Sequence, residues 1–119
     1  MRYMLLISEP HGQRAARTEA EGRAAYAAML AFAERLQTRG VFVACESLLD
    51  DDRGVRVQVR EGRPRLLDGP FTESKEMIGG FFLVECAGAA EAVAIAQECP
   101  AAGWSTVEVR PVGPCFVRT

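Results

Sequence analysis

No apolar run in this chain approaches the length of a membrane-spanning helix, and only five apolar residues separate Arg2 from Ser8 and Glu9. Five are too few for the core of a secretory leader, so the N-terminus reads as the first strand of a cytoplasmic protein. A basic block is also missing. The 14 Lys and Arg and the 16 Asp and Glu are spread along the chain for a formal net charge of -2, which offers nothing to track a phosphate backbone or a membrane surface. The four cysteines, Cys45, Cys86, Cys99 and Cys115, form no C-x-x-C pair, so neither a zinc site nor a dithiol motif is indicated. They read as small core residues, with Cys115 the most exposed. Histidine occurs once, at His11. The acidic run Asp50-Asp51-Asp52-Arg53-Gly54 lacks the spaced ligands and distal glutamate of a calcium loop and reads as a solvated turn. No metal or other cofactor is expected.

What is present suits one globular domain over residues 1–119, with 49% apolar and 25% charged residues. Arg2 to Ile7 is apolar on both alternating faces, as a central strand requires. Pro10 to Arg17 is polar and reads as a loop, and Thr18-Glu19-Ala20-Glu21 matches the box that opens helices. A helix then runs from Glu19 to Arg39 with Ala25, Met29, Phe32, Ala33 and Leu36 on one stripe, and Gly40 ends it. Val41 to Leu49 reads as a strand, and Val55 to Arg60 alternates cleanly before Glu61-Gly62 turns the chain back through Leu66 and Leu67. Phe81 to Cys86 is a second two-faced apolar strand. Gly88 to Cys99 is a helix stopped by Pro100, and Ser105 to Arg110 is a last alternating strand.

This order, strand, helix, strand, hairpin, strand, helix, strand, predicts an α+β fold. It is the ferredoxin-like split βαβ pattern, an antiparallel sheet with two helices on one face and an inserted hairpin. Two helices cover one face of the sheet, while the central strands are apolar on both. A twofold homodimer packed sheet to sheet supplies the missing cover.

Between the hairpin and the second central strand lies Asp68-Gly69-Pro70-Phe71-Thr72-Glu73-Ser74-Lys75-Glu76. Gly69 reaches backbone angles closed to other residues, Pro70 fixes its own φ, and Asp68 can hydrogen-bond forward onto the turn. Together with Arg2-Tyr3-Met4-Leu5-Leu6-Ile7, Cys45-Glu46-Ser47-Leu48, Gly79-Gly80-Phe81-Phe82 and Val107-Glu108-Val109-Arg110-Pro111, this run resembles the YCII-related family, in the subgroup named for its DGPF motif. The resemblance spans nearly the whole chain. It implies a dimeric α/β-barrel-like fold and an active site in which the DGP aspartate pairs with a histidine on the first helix, with no settled reaction. It also implies a sigma factor of the extracytoplasmic-function type as a partner, since similar domains occur beside or fused to such factors. This chain departs from the pairing: His11 precedes the helix, and Tyr26 follows Arg23-Ala24-Ala25 within it.

The candidate site follows from these residues. Asp68 is either a partly desolvated base at the mouth of an apolar sheet or a group that caps its own turn. Tyr26 can donate to a bound polar group or belong to the core. Glu46 either points into the same pocket or sits on its rim against an arginine, Trp104 either lines that pocket or anchors an interface, and Arg110 either clamps a substrate anion or pairs with Glu108 of another chain. His11 is a solvated loop histidine or a catalytic one. Glu73, Lys75 and Glu76 read as the first turn of a short helix, a solvated face or a recognition surface. The two functional readings are an enzyme-like pocket for a small polar ligand and a non-catalytic regulatory module.

Overall fold

The computed structural model describes residues 1–118. In chain order the elements are β1 (Arg2–Pro10), α1 (Gln13–Ala16), α2 (Glu19–Thr38), β2 (Phe42–Ser47), β3 (Val55–Arg60), β4 (Arg63–Asp68), β5 (Glu76–Glu85), α3 (Ala89–Glu98) and β6 (Thr106–Pro111). Single 3₁₀ turns occupy Asp51–Arg53 and Pro100–Gly103. Among the described residues no helix is long and apolar enough to cross a membrane.

Helix α2 starts where its caps dictate. Thr18 Oγ1 accepts the Glu21 N–H at 3.1 Å and the Glu21 carboxylate accepts the Thr18 N–H at 2.8 Å, so two otherwise unpaired amides of the first turn are satisfied. Gly40, at φ 74°, turns the chain out after the last turn.

Four strands form an antiparallel sheet in the order β2-β5-β1-β6, with the two doubly apolar strands innermost. Among the described residues the fold is α+β with three helices, compatible with a ferredoxin-like arrangement. Register sorts the side chains. Leu5 lies opposite Phe82 and Val109, and Tyr3 opposite Val84. That face packs on Phe32 and Leu36 of α2 and on Ala92 and Ile95 of α3. Phe32 meets Phe82 edge to face at 5.1 Å between centroids, a pairing that contributes about 0.5–1.5 kcal/mol beyond its buried area. On the other face Met4, Leu6, Phe81 and Leu83 are only half-buried.

Two local expectations are corrected. The Pro10–Arg17 segment is not all loop, because β1 continues past a bulge at Ile7/Ser8 to pair Pro10 with Glu76, and α1 follows. Glu73 to Glu76 is not helical: the Lys75 carbonyl accepts the His11 N–H at 3.1 Å and Glu76 opens β5, so the segment is drawn into the ladder. The lead into β6 is a 3₁₀ turn, with the Trp104 N–H bonded to the Ala101 carbonyl at 3.1 Å.

The hairpin β3–β4 is a separate two-stranded sheet whose twelve residues are all exposed. Its two-residue loop holds Glu61 at φ 53° and Gly62 at φ 73°, the positive angles that suit the twist of a tight hairpin.

Candidate functional site

Glu9 shares the face of Tyr3, Leu5 and Ile7 and is only 5% exposed. A buried carboxylate needs hydrogen-bonded charge compensation, and α1 provides it. Arg14 Nη2 and Nε donate to Glu9 Oε1 and Oε2 at 2.6 and 2.9 Å, a two-pronged pairing. The same guanidinium donates to the Leu48 carbonyl at 2.8 Å and to the Gly79 carbonyl at 3.4 Å, tying β1 to the end of β2 and to β5. The hydrogen bond to Glu9 raises the Arg14 pKa further above its ordinary value, so the cation persists at all working pH. Gly79 is the unpaired residue of the β1–β5 bulge, and a β-carbon there would strike the Glu9 carboxylate and the Arg14 guanidinium.

Above this pair lies a cavity of about 870 Å³ between the sheet and the first half of α2. Tyr26 and Met29 line it from the helix, Cys45, Glu46 and Ser47 from β2, and Trp104 from the opposite wall. The Trp104 carbonyl accepts from the Gln13 side-chain amide at 2.5 Å, which holds this wall in place. The Arg17 guanidinium sits 5.4 Å over the Trp104 ring, forms no salt bridge among the described residues, and lies near enough to Glu21 to assist the Thr18 hydrogen bonds in lowering that carboxyl's pKa. Tyr26 is 54% exposed, so it stands at the mouth rather than in the core. Burial raises the Cys45 pKa, which keeps that thiol protonated and a weak nucleophile.

The structure therefore brings Tyr26, Glu46 and Trp104 together, and places Asp68 and Arg110 elsewhere. Asp68 is exposed at the end of β4, opposite Val55, and its side chain makes no hydrogen bond among the described residues. Arg110 lies on the second face of the sheet and contacts Glu108 of its own chain at 3.4 Å.

The backbone of the DGPF turn is held more tightly than its carboxylate. The Gly69 N–H donates to the Gly54 carbonyl at 2.9 Å, and the Asp51 carbonyl comes so close to Gly69 that no β-carbon fits. The Gly69–Pro70 peptide is cis. Phe71 is buried under the Arg56 guanidinium, 3.9 Å from its ring centroid, and Arg56 also pairs with Glu73 at 2.7 Å. The Phe71 N–H donates to Asp51 Oδ2 at 3.3 Å, and the same oxygen accepts from His11 Nε2 at 2.6 Å. His11 and Asp51 thus form a half-buried pair at the root of the hairpin. Their hydrogen bond, ahead of the other influences, raises the His11 pKa and lowers that of Asp51. Among the described residues His11 Nδ1 and Asp51 Oδ1 are buried without a hydrogen-bond partner.

This pair corrects two expectations, that His11 is merely solvated and that Asp50–Gly54 is a free acidic turn. Nothing in the spacing signals it, since 40 residues separate the partners. Glu9 did carry a signal, because it continues the alternation of Tyr3, Leu5 and Ile7. Among the described residues no three His, Cys, Asp or Glu side chains gather as metal ligands would.

The family model for the YCII-related domain matches residues 1–115. The chain belongs to the YCII-related family. Its similarity to other proteins extends to an uncharacterized protein of Rhizobium meliloti (strain 1021), 43% identical over 53 residues that make up 43% of each chain. The match thus covers less than half of that relative. Within this YCII-related chain, Asp51 and not the DGP aspartate receives the histidine.

Proposed function

We propose that this YCII-related protein is enzyme-like and binds a compact organic anion in the cavity over Glu9 and Arg14, working as a homodimer. The observation that carries this reading is a cavity within the usual volume of a small-ligand site, with an apolar wall and two donors, Arg17 and Tyr26, that are not committed elsewhere. The ion pair beneath fixes the floor without adding free charge, because Arg14 is neutralised by Glu9. Arg17 then supplies the anion contact, Tyr26 the proton or hydrogen bond, Glu46 a rim carboxylate, and Trp104 a flat apolar surface. Asp68 acts through its turn, positioning the Asp51 and Phe71 backbone, and not on the ligand. The strand order supports the split βαβ form of the ferredoxin-like fold, and the Asp68-Gly69-Pro70-Phe71 run supports the DGPF subgroup. Half-buried Met4, Leu6, Phe81 and Leu83 support closure of a second copy over the sheet in the manner of a dimeric α/β barrel.

The test is calorimetric titration of the purified protein with small aliphatic and aromatic carboxylates and phosphate esters. Binding at millimolar or tighter affinity is expected, weakened about ten- to hundredfold in Arg17→Ala and less in Tyr26→Phe, as loss of a charge-assisted hydrogen bond predicts. Asp68→Asn should bind as the parent does. If none of these anions binds, or if Arg17→Ala binds as tightly as the parent, the reading fails.

A further inference from the structure

The chain exposes 8240 Å² for 13.0 kDa. A compact monomer of that mass exposes about 6,300 Å², so about 1,900 Å² per chain is in excess. The radius of gyration, 16.2 Å, likewise exceeds the value of about 13.5 Å expected for a compact domain of this length. Part of this surplus lies on the hairpin, where Val55, Val57, Val59 and Leu66 are 52–68% exposed, and part on the C-terminal segment, where Val112, Phe116 and Val117 are 52–77% exposed.

These residues lie on one side of the ribbon. The register sets Val57 opposite Leu66 and Val59 opposite Pro64, while Arg56, Gln58 and Arg60 face Leu67, Arg65 and Arg63 on the other side. One face is therefore an apolar stripe that ends at the Val55–Asp68 pair, and the other carries four arginines beside Leu67, of which Arg56 packs over Phe71. A free two-stranded ribbon is marginal in water and needs a third layer against its apolar face. Among the described residues the ribbon is anchored to the rest of its chain near its root, where Gly69 meets Gly54 and Arg56 meets Phe71, Glu73 and Ser74.

We infer that the β3–β4 hairpin is an association arm whose apolar stripe, centred on Val57 and Leu66, docks on a second copy of this chain. The occupant is a second copy because the surplus, doubled across a twofold axis, falls in the range that permanent homodimers bury. This inference rests on the homodimer reading and adds to it that the hairpin, and not the sheet face alone, carries the interface.

The experiment is sedimentation equilibrium of the full chain, the parent against Val57→Lys/Leu66→Lys, with amide hydrogen exchange on both. The parent is expected to be dimeric at micromolar concentration, with β3 and β4 amides protected there and exposed on dilution. The variant is expected to dissociate at least about a hundredfold more readily, because each lysine would carry a charge into the contact. Retained protection of α2 and β1 amides establishes that the variant monomer is folded. A dimeric parent with an unchanged constant in the variant overturns the arm while leaving the homodimer reading intact. A monomeric parent overturns both, whereas rapid exchange of the hairpin amides at every concentration in a dimeric parent overturns the arm alone.

Discussion

Replacing Arg14 by methionine keeps the length of the side chain and removes the cation that neutralises Glu9. The Glu9 side chain is 7% exposed and its partner 29%, so the loss is asymmetric: the carboxylate cannot reach water, whereas an unpaired guanidinium can. Removing one member of a buried pair costs about 3–5 kcal/mol, and the partial exposure of Arg14 lowers this to about 2–4 kcal/mol. For a domain of this length that is a fall in Tm on the order of 10–20 °C. Glu9→Met alone leaves Arg14 free to turn outward while keeping its bond to Leu48, and should cost about 1–2 kcal/mol. The double variant, an apolar pair of similar volume, should recover much of the loss, giving a coupling of about 2 kcal/mol in the cycle. Urea unfolding of the four proteins at neutral pH measures every term. A loss under about 1 kcal/mol in Arg14→Met, or a coupling below about 0.5 kcal/mol, would falsify the account of Glu9 as a buried, compensated charge.

Other outcomes follow from the same geometry. The His11–Asp51 pair predicts a window of stability in pH. With its pKa raised above the ordinary 6.5, His11 contributes fully below that pH and loses its contribution as pH climbs through the raised value. Asp51, lowered from 3.8, contributes fully above that pH and loses its contribution as acid titrates it. The difference in urea midpoint between the parent and His11→Gln should therefore be widest near pH 5 to 6 and shrink toward both pH 3 and pH 8; a difference that is flat across this range removes the ionic reading of the pair. Gly69→Ala should cost about 1–3 kcal/mol, because the new β-carbon meets the Asp51 carbonyl, which belongs to the backbone and cannot swing aside. Equilibrium unfolding checks it, and a neutral result would mean that the 3₁₀ turn at Asp51–Arg53 yields easily.

Much of the frame was legible because its signals are local. Thr18 and Glu21 announce the start of α2, Gly40 its end, and the doubly apolar runs around Leu5 and Phe82 identify the inner strands. Of the residues singled out from the sequence, Tyr26, Glu46 and Trp104 lie around one cavity. What local patterns do not carry is long in range. The sequence pointed to Asp68 because Asp-Gly-Pro is conspicuous chemistry, yet the turn works through the amides of Gly69 and Phe71, and its carboxylate stays in water. His11 and Asp51 look solvated because each is flanked by polar residues, and only the extension of β1 to Pro10 brings them together. The alternation of Tyr3, Leu5 and Ile7 points Glu9 inward, but that Arg14 and the bare backbone of Gly79 make room for it shows only in the fold.

The reach of Arg14 also has a kinetic side. Its guanidinium gathers groups 5, 34 and 65 residues away in sequence, and the longer of these contacts cannot form until β2 and β5 have docked. Contacts that close such large loops form late, so Arg14→Met should leave the refolding limb of a chevron nearly unchanged and appear almost wholly as faster unfolding. The residue that fixes the floor of the cavity would then act as a latch on the native state, governing how long the fold persists once made and contributing little to how quickly it is found.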